Sequence, residues 1–205
     1  MSRGFLSRGF QGRRIKSDAN SRIPPGQHET GDFPVLTAGP TPRTELKDWT
    51  FEINGLVKKP VRWSWDEFRR LKSQPYTVDI HCVTKWTKLG TQWEGVSVDT
   101  LLEYVELEPN AHFVTAFCYG GYTTNLPLED ITGGKAFIAF NYDGQPLPRE
   151  HGGPARLVVP HLYFWKSAKW VRGLTFTEQD ELGFWESLGY HRRGDPWKEQ
   201  RYRGD

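Results

Sequence analysis

Twenty-one glycines and fourteen prolines punctuate these 205 residues, so the chain breaks into short elements joined by many turns, a composition that leans towards strands and loops. Nine Trp, twelve Phe and eight Tyr supply an aromatic core large enough for one good-sized domain without disulfide staples. A net charge of +2 is too mild to demand nucleic acid as a partner. The basic residues do cluster at the start, where Arg3, Arg8, Arg13, Arg14, Lys16 and Arg22 face a single acid, Asp18. Lacking periodicity, residues 1–23 are expected to form a basic flexible arm ahead of a single domain at 24–205. No run approaches the roughly 18 apolar residues that cross a bilayer. Arg13-Arg14 is followed by the polar Ile15-Lys16-Ser17-Asp18 where an export signal needs an apolar stretch, so the expected location is cytoplasmic.

Trp49–Ile53 alternates and meets Asn54-Gly55, which predicts a strand entering a tight turn and returning near Val61–Trp63. Ser64 and Glu67 have capping-box spacing and predict a short helix to about Lys72. Tyr76–Cys82 reads as a buried strand, and Ser97 with Asp99 opens a helix whose apolar face holds Val98, Leu101, Leu102 and Val105. Further strands are expected at Phe113–Cys118, Ala136–Tyr142, Arg156–Val159 and Trp170–Phe176, with a turn at Asp143-Gly144. The segment from Gly183 has no clean period and is expected to wrap the domain irregularly.

Cys82 lies within Asp79-Ile80-His81-Cys82-Val83-Thr84-Lys85-Trp86, a polar cluster after a strand, where a thiolate can serve as a soft metal ligand. The competing readings are a buried free thiol or a disulfide with Cys118, the only other cysteine. A second group spans His151-Gly152-Gly153-Pro154-Ala155-Arg156 and Tyr163-Phe164-Trp165-Lys166-Ser167-Ala168-Lys169-Trp170. Its glycines allow close approach to a ligand and Arg156 can grip an anion bidentately. Lys166, Ser167, Ala168 and Lys169 offer charge, a hydroxyl and amides suited to a phosphate. Interleaved charges and aromatics are also what one solvated strand face looks like.

Together with Trp93-Glu94-Gly95-Val96 and Gly120-Gly121-Tyr122-Thr123-Thr124-Asn125-Leu126-Pro127, these segments resemble the sulfite oxidase superfamily over roughly residues 24 to 203, and especially its small cytoplasmic, single-domain branch. The resemblance implies an α+β, mixed and β-rich sulfite oxidase-like fold that binds molybdenum–molybdopterin. It makes Cys82 the molybdenum ligand and puts His151, Arg156, Ser167 and Lys169 at cofactor-binding positions, with Cys118 in contact. Some relatives have an Asn/Tyr/Glu contact near residue 33, where this chain reads Asp32-Phe33-Pro34, so only an apolar or backbone contact from Phe33 carries over.

What the resemblance implies chemically is two-electron redox with oxygen-atom transfer on a small molecule. Sulfite oxidases proper place arginines shortly after the metal-binding cysteine, and here those positions are Trp86 and Thr87, which favours a less charged sulfoxide or other oxo-compound over sulfite. His81, Lys85 and Tyr122 are candidates for orienting it. The chain is too short to hold haem or dimerisation domains as well and has no haem-attachment motif, so electrons are expected from a separate protein or carrier. The alternatives are a cofactor-free scaffold or a nucleic-acid-binding module using the arm, and the second predicts salt-sensitive binding lost with the arm.

Overall fold

The structure, a computed structural model, describes residues 22–205. Nearly all of the expected arm lies outside the described residues. Arg22 is already docked on the domain, donating through Nε (2.8 Å) and Nη2 to Asp79.

Eleven strands follow in chain order: β1 (His28–Glu29), β2 (Thr50–Gly55), β3 (Val61–Ser64), β4 (Gln74–His81), β5 (Trp86–Ser97), β6 (Phe113–Cys118), β7 (Thr123–Pro127), β8 (Phe137–Tyr142), β9 (Gln145–Pro146), β10 (Arg156–Val158) and β11 (Val171–Thr177). Three short helices join them, α1 (Trp65–Arg69), α2 (Val98–Leu102) and α3 (Phe184–Ser187). One sheet has the order β3-β2-β11-β6-β7, antiparallel except where β11 runs beside β2. The other is built on β5, which pairs with β4, with β8 and, in parallel, with β1, while β8 also carries β9 and β10. This is the mixed, β-rich fold the composition implied.

Period-two alternation turns Phe51 and Ile53 of β2, Val114 and Ala116 of β6, and Leu174 and Phe176 of β11 inwards. There they meet Val96, Ile138, Phe140 and Leu157 of the sheet built on β5 in the main core. The far side of the β5 sheet carries a smaller cluster, Ile80, Cys82 and Trp86, with Phe33 and Phe164 packed against it. That cluster is where the candidate site forms.

The capping box at Ser64 is fully made, with the Ser64 hydroxyl accepting from the Glu67 amide and the Glu67 carboxylate accepting from the Ser64 amide at 2.8 Å, and Ser97 caps α2. The Asp143-Gly144 turn forms with both residues at positive φ. Three expectations need correction. Asn54-Gly55 is not a tight turn: both residues still pair with β11, and the return to β3 takes the loop through Pro60. The strand ending at His81 is buried only at its last two residues, because its outer half is a partly solvated edge. The helix expected to reach about Lys72 stops at Arg69, with Arg70 as its C-cap. The longest strand, β5, gave no periodic signal, since Gly90 and Gly95 interrupt it. Gly95 is there for contact: a Cβ would lie 2.2 Å from the Ile138 carbonyl oxygen, beside a register shift.

Candidate active site

The turn after β4 determines where the thiol points. The Cys82 amide donates to the Trp86 carbonyl (2.8 Å) and the Lys85 amide donates to the Cys82 carbonyl (3.0 Å), closing a three-residue hairpin loop with Lys85 left-handed at φ 78°. Strand alternation then sends His81 and Cys82 to opposite faces. Cys82 lines a cavity of about 510 Å³. Burial raises its thiol pKa, and the Thr84 hydroxyl, donating to Sγ at 3.1 Å, opposes that rise. Both cysteines are free thiols, so the disulfide alternative does not form.

His81 does not line the cavity. Its Nδ1 lies 2.9 Å from the Thr87 hydroxyl, and burial pushes its pKa down to about 4, leaving it neutral near pH 7. Lys85 is an exposed turn residue and is likewise absent from the lining. Neither sits where it could touch a molecule in the cavity.

Across the cavity, Arg156 enters from β10. Its guanidinium is 1% exposed, donates to the carbonyls of His151 (2.8 Å) and Ser167 (2.6 Å), and lies 4.1 Å over the Phe164 ring. Among the described residues no carboxylate pairs with it. Burial therefore pushes its pKa down to about 9. Lys169 stands beside it, donating to the carbonyls of Leu36 (2.7 Å) and Glu150 (2.6 Å), and burial with Arg156 nearby lowers its pKa to about 8. Gly152, at φ 112°, lets these two side chains converge, because a Cβ there would sit 3.0 Å from both Arg156 Cβ and Lys169 Cα. The Ser167 hydroxyl accepts from the Val159 amide (2.9 Å), which leaves its proton for another acceptor. Among the described residues the amides of Ala168 and Lys169, which also line the cavity, have no acceptor.

The remaining candidates flank this cluster. Phe33 lines the cavity and stacks on His151 at 3.9 Å, and the buried Nδ1 of His151 has no hydrogen-bond partner. Cys118 lies outside the lining, with burial raising its thiol pKa and the charge of Arg156 opposing the rise. Tyr122 lines the cavity, but its hydroxyl donates to the Trp165 carbonyl (2.7 Å), and burial holds its pKa well above the ordinary phenol value. The expectation for Lys166 is corrected. Fully buried, its ammonium pairs with Glu186 at 2.7 Å and donates to both oxygens of Asn125 and to the Arg192 carbonyl, so it holds structure behind the wall. Sequence reasoning held Trp86, Phe164 and Trp165 within its motifs without giving them a role, and it missed Phe184, Trp185 and Tyr190, which come from the segment without a clean period. Residues 34–42, a stretch without regular structure, form the rim.

A molybdenum–pterin group needs a soft ligand, a flat apolar slot and donors for an anionic end. The cavity has a buried thiol, aromatic walls, two cations without acid partners and two free amides, so these residues fit the group.

The family described as "Oxidoreductase molybdopterin binding domain" matches residues 38–185. The chain belongs to this family. It is 43% identical over 197 residues to "Uncharacterized oxidoreductase YuiH" of Bacillus subtilis, covering 96% of this chain and 100% of that protein. It is 30% identical over 147 residues to "Putative protein-methionine-sulfoxide reductase subunit YedZ1" of Azospira oryzae, covering 72% of this chain and 56% of that one. The corresponding figures for "Protein-methionine-sulfoxide reductase catalytic subunit MsrP" of Gluconobacter oxydans are 28% over 158 residues, 68% and 50%. The chain thus spans about half the length of these two. Among solved structures, sulfane dehydrogenase SoxCD from Paracoccus pantotrophus superposes with a TM-score of 0.62 at 24% identity, over 68% of this chain and 41% of that one, and so shares the fold. The molybdopterin oxidoreductase, sulfite oxidase-like in fold, has no helix among its described residues long and apolar enough to cross a membrane.

Proposed function

We propose that Cys82 ligates molybdenum and that Arg156, Lys169, the Ser167 hydroxyl and the amides of Ala168 and Lys169 hold the polar end of molybdopterin, for oxygen-atom transfer on a small uncharged oxo-compound such as a sulfoxide. One observation carries this reading: the thiol and the two unpaired cations open into the same aromatic-walled cavity. When bound, the group supplies two-electron redox at the metal. The chain's own residues do the rest. The hairpin fixes the thiol, Arg156 and Lys169 neutralise an anion out of water, and Phe164 and Trp86 leave flat apolar surface for a planar ring.

Beside the thiol the cavity is lined by Val83, Thr84, Trp86 and Tyr190, none of them a cation. A dianion such as sulfite would find no lining cation to pair with there, whereas a neutral sulfoxide needs none. Two relatives carry protein-methionine sulfoxide in their names, which agrees with that preference. Electrons come, in this reading, from a separate carrier, and two free thiols suit a reducing, cytoplasmic setting. Steady-state kinetics of the cofactor-loaded protein test the substrate class. The reading expects dimethyl sulfoxide or methionine sulfoxide to be reduced with kcat/KM at least tenfold above that for sulfite oxidation, and the reverse order would overturn it.

A further inference from the structure

The loop that carries Cys82 is held from two sides by residues outside the matched segment 38–185. On one side, Gln27 donates through Nε2 to the Cys82 carbonyl (3.1 Å) and the His28 amide donates to the Lys85 carbonyl (2.9 Å). On the other, Arg201 reaches in from the C-terminal stretch and donates through Nη1 to the Val83 carbonyl at 2.7 Å. Only 11% of its side chain is exposed. Its guanidinium lies 4.9 Å over the Tyr163 ring, and its nearest carboxylate, exposed Glu199, is 4.0 Å away. Nη2 is buried without an acceptor. The backbone around it is pinned, since the His191 amide donates to the Arg201 carbonyl and Asp205 accepts from the Arg201 amide at 2.9 Å.

We propose that Arg201 is a positioning residue that tunes the metal site, holding the Cys82 loop through Val83 and placing a weakly compensated positive charge beside the thiolate. The inference rests on the reading of Cys82 as the metal ligand. A thiolate ligand is anionic, and a cation held close to it with little water between withdraws charge from the ligand. The Coulombic influence of Arg201 on Cys82 has that sign, favouring the charged sulfur. A metal in the more electron-poor site is easier to reduce. Lysine would keep the charge, whereas glutamine would keep an amide donor for the Val83 carbonyl and lose the charge.

The test is a redox titration of the bound molybdenum, followed spectroscopically, in wild type, Arg201→Gln and Arg201→Lys, with molybdenum per chain measured in each and in Cys82→Ser. The expected result is full metal loading in all three Arg201 forms, a lower reduction potential in Arg201→Gln and a potential near wild type in Arg201→Lys. A wild-type potential in Arg201→Gln overturns the proposal, as does an equal drop in both variants, which would mean that Arg201 acts only through the shape of its fork. Unchanged molybdenum with an unchanged thiolate signature in Cys82→Ser instead removes the ligand reading, and the tuning role with it.

Discussion

Arg156 and Lys169 are held side by side out of water with only carbonyl oxygens as partners, an arrangement that costs stability until an anion joins them. The cost has a readable sign. Lys169 has a pKa of about 8 in the fold against 10.5 for the free side chain, so between these values the unfolded chain binds more protons than the native one. The contribution of Lys169 to the stability of the cofactor-free protein should therefore rise with pH from about 8 to about 10.5. Urea denaturation across that range checks it, and Lys169→Met should flatten the rise. Arg156, lowered to about 9, contributes with the same sign above that value. Residue chemistry of this kind was legible from sequence wherever a residue type implies its role, as with the thiol of Cys82 and the fork of Arg156. Lys166 was misread because its charge looked available, whereas its acid partner, Glu186, lies twenty positions on in a segment without a period.

Among the elements, α3 shows what that buried pair does. Phe184 and Trp185 of α3 line the cavity, and Glu186, the next residue, accepts from Thr124 (3.0 Å), the Trp165 indole (2.9 Å) and Lys166. One carboxylate thus ties α3 to β7 and to the turn of Phe164–Lys166. Removing one partner of a fully buried pair strands the other, so Lys166→Met should cost about 3–5 kcal/mol. Lys166→Met with Glu186→Gln should recover much of that, because Gln still accepts from Thr124 and Trp165 while the stranded charge is gone. Equilibrium urea unfolding of both variants measures the difference. Most strands and the capped helices could be read from alternation and capping residues, but β5 could not. Gly95 is required by the close approach of β8 and Gly90 by its left-handed backbone at φ 62°, and the same glycines erase the pattern by which a strand is recognised.

Over the whole molecule, two sheets share one core, and the site forms on the outer side of the sheet built on β5. Its contributors are distant in sequence: Phe33 and the rim at 34–42, the hairpin at Cys82, the Arg156–Lys169 stretch, and α3 with the C-terminal segment. The β-rich fold and the cofactor were legible because they rest on segments that match as blocks. The rim, the aromatic wall and the Gln27 and Arg201 contacts were not, since each depends on where a loop without regular structure crosses the sheet. Molybdenum and pterin content per chain, in wild type and in Cys82→Ser made with a functioning cofactor pathway, tests the central claim most directly. Near-stoichiometric metal and pterin in wild type, with loss of the metal or of its thiolate signature in Cys82→Ser, is the predicted result. A wild-type protein without either, or a Cys82→Ser protein whose metal and thiolate signature are unchanged, would contradict it.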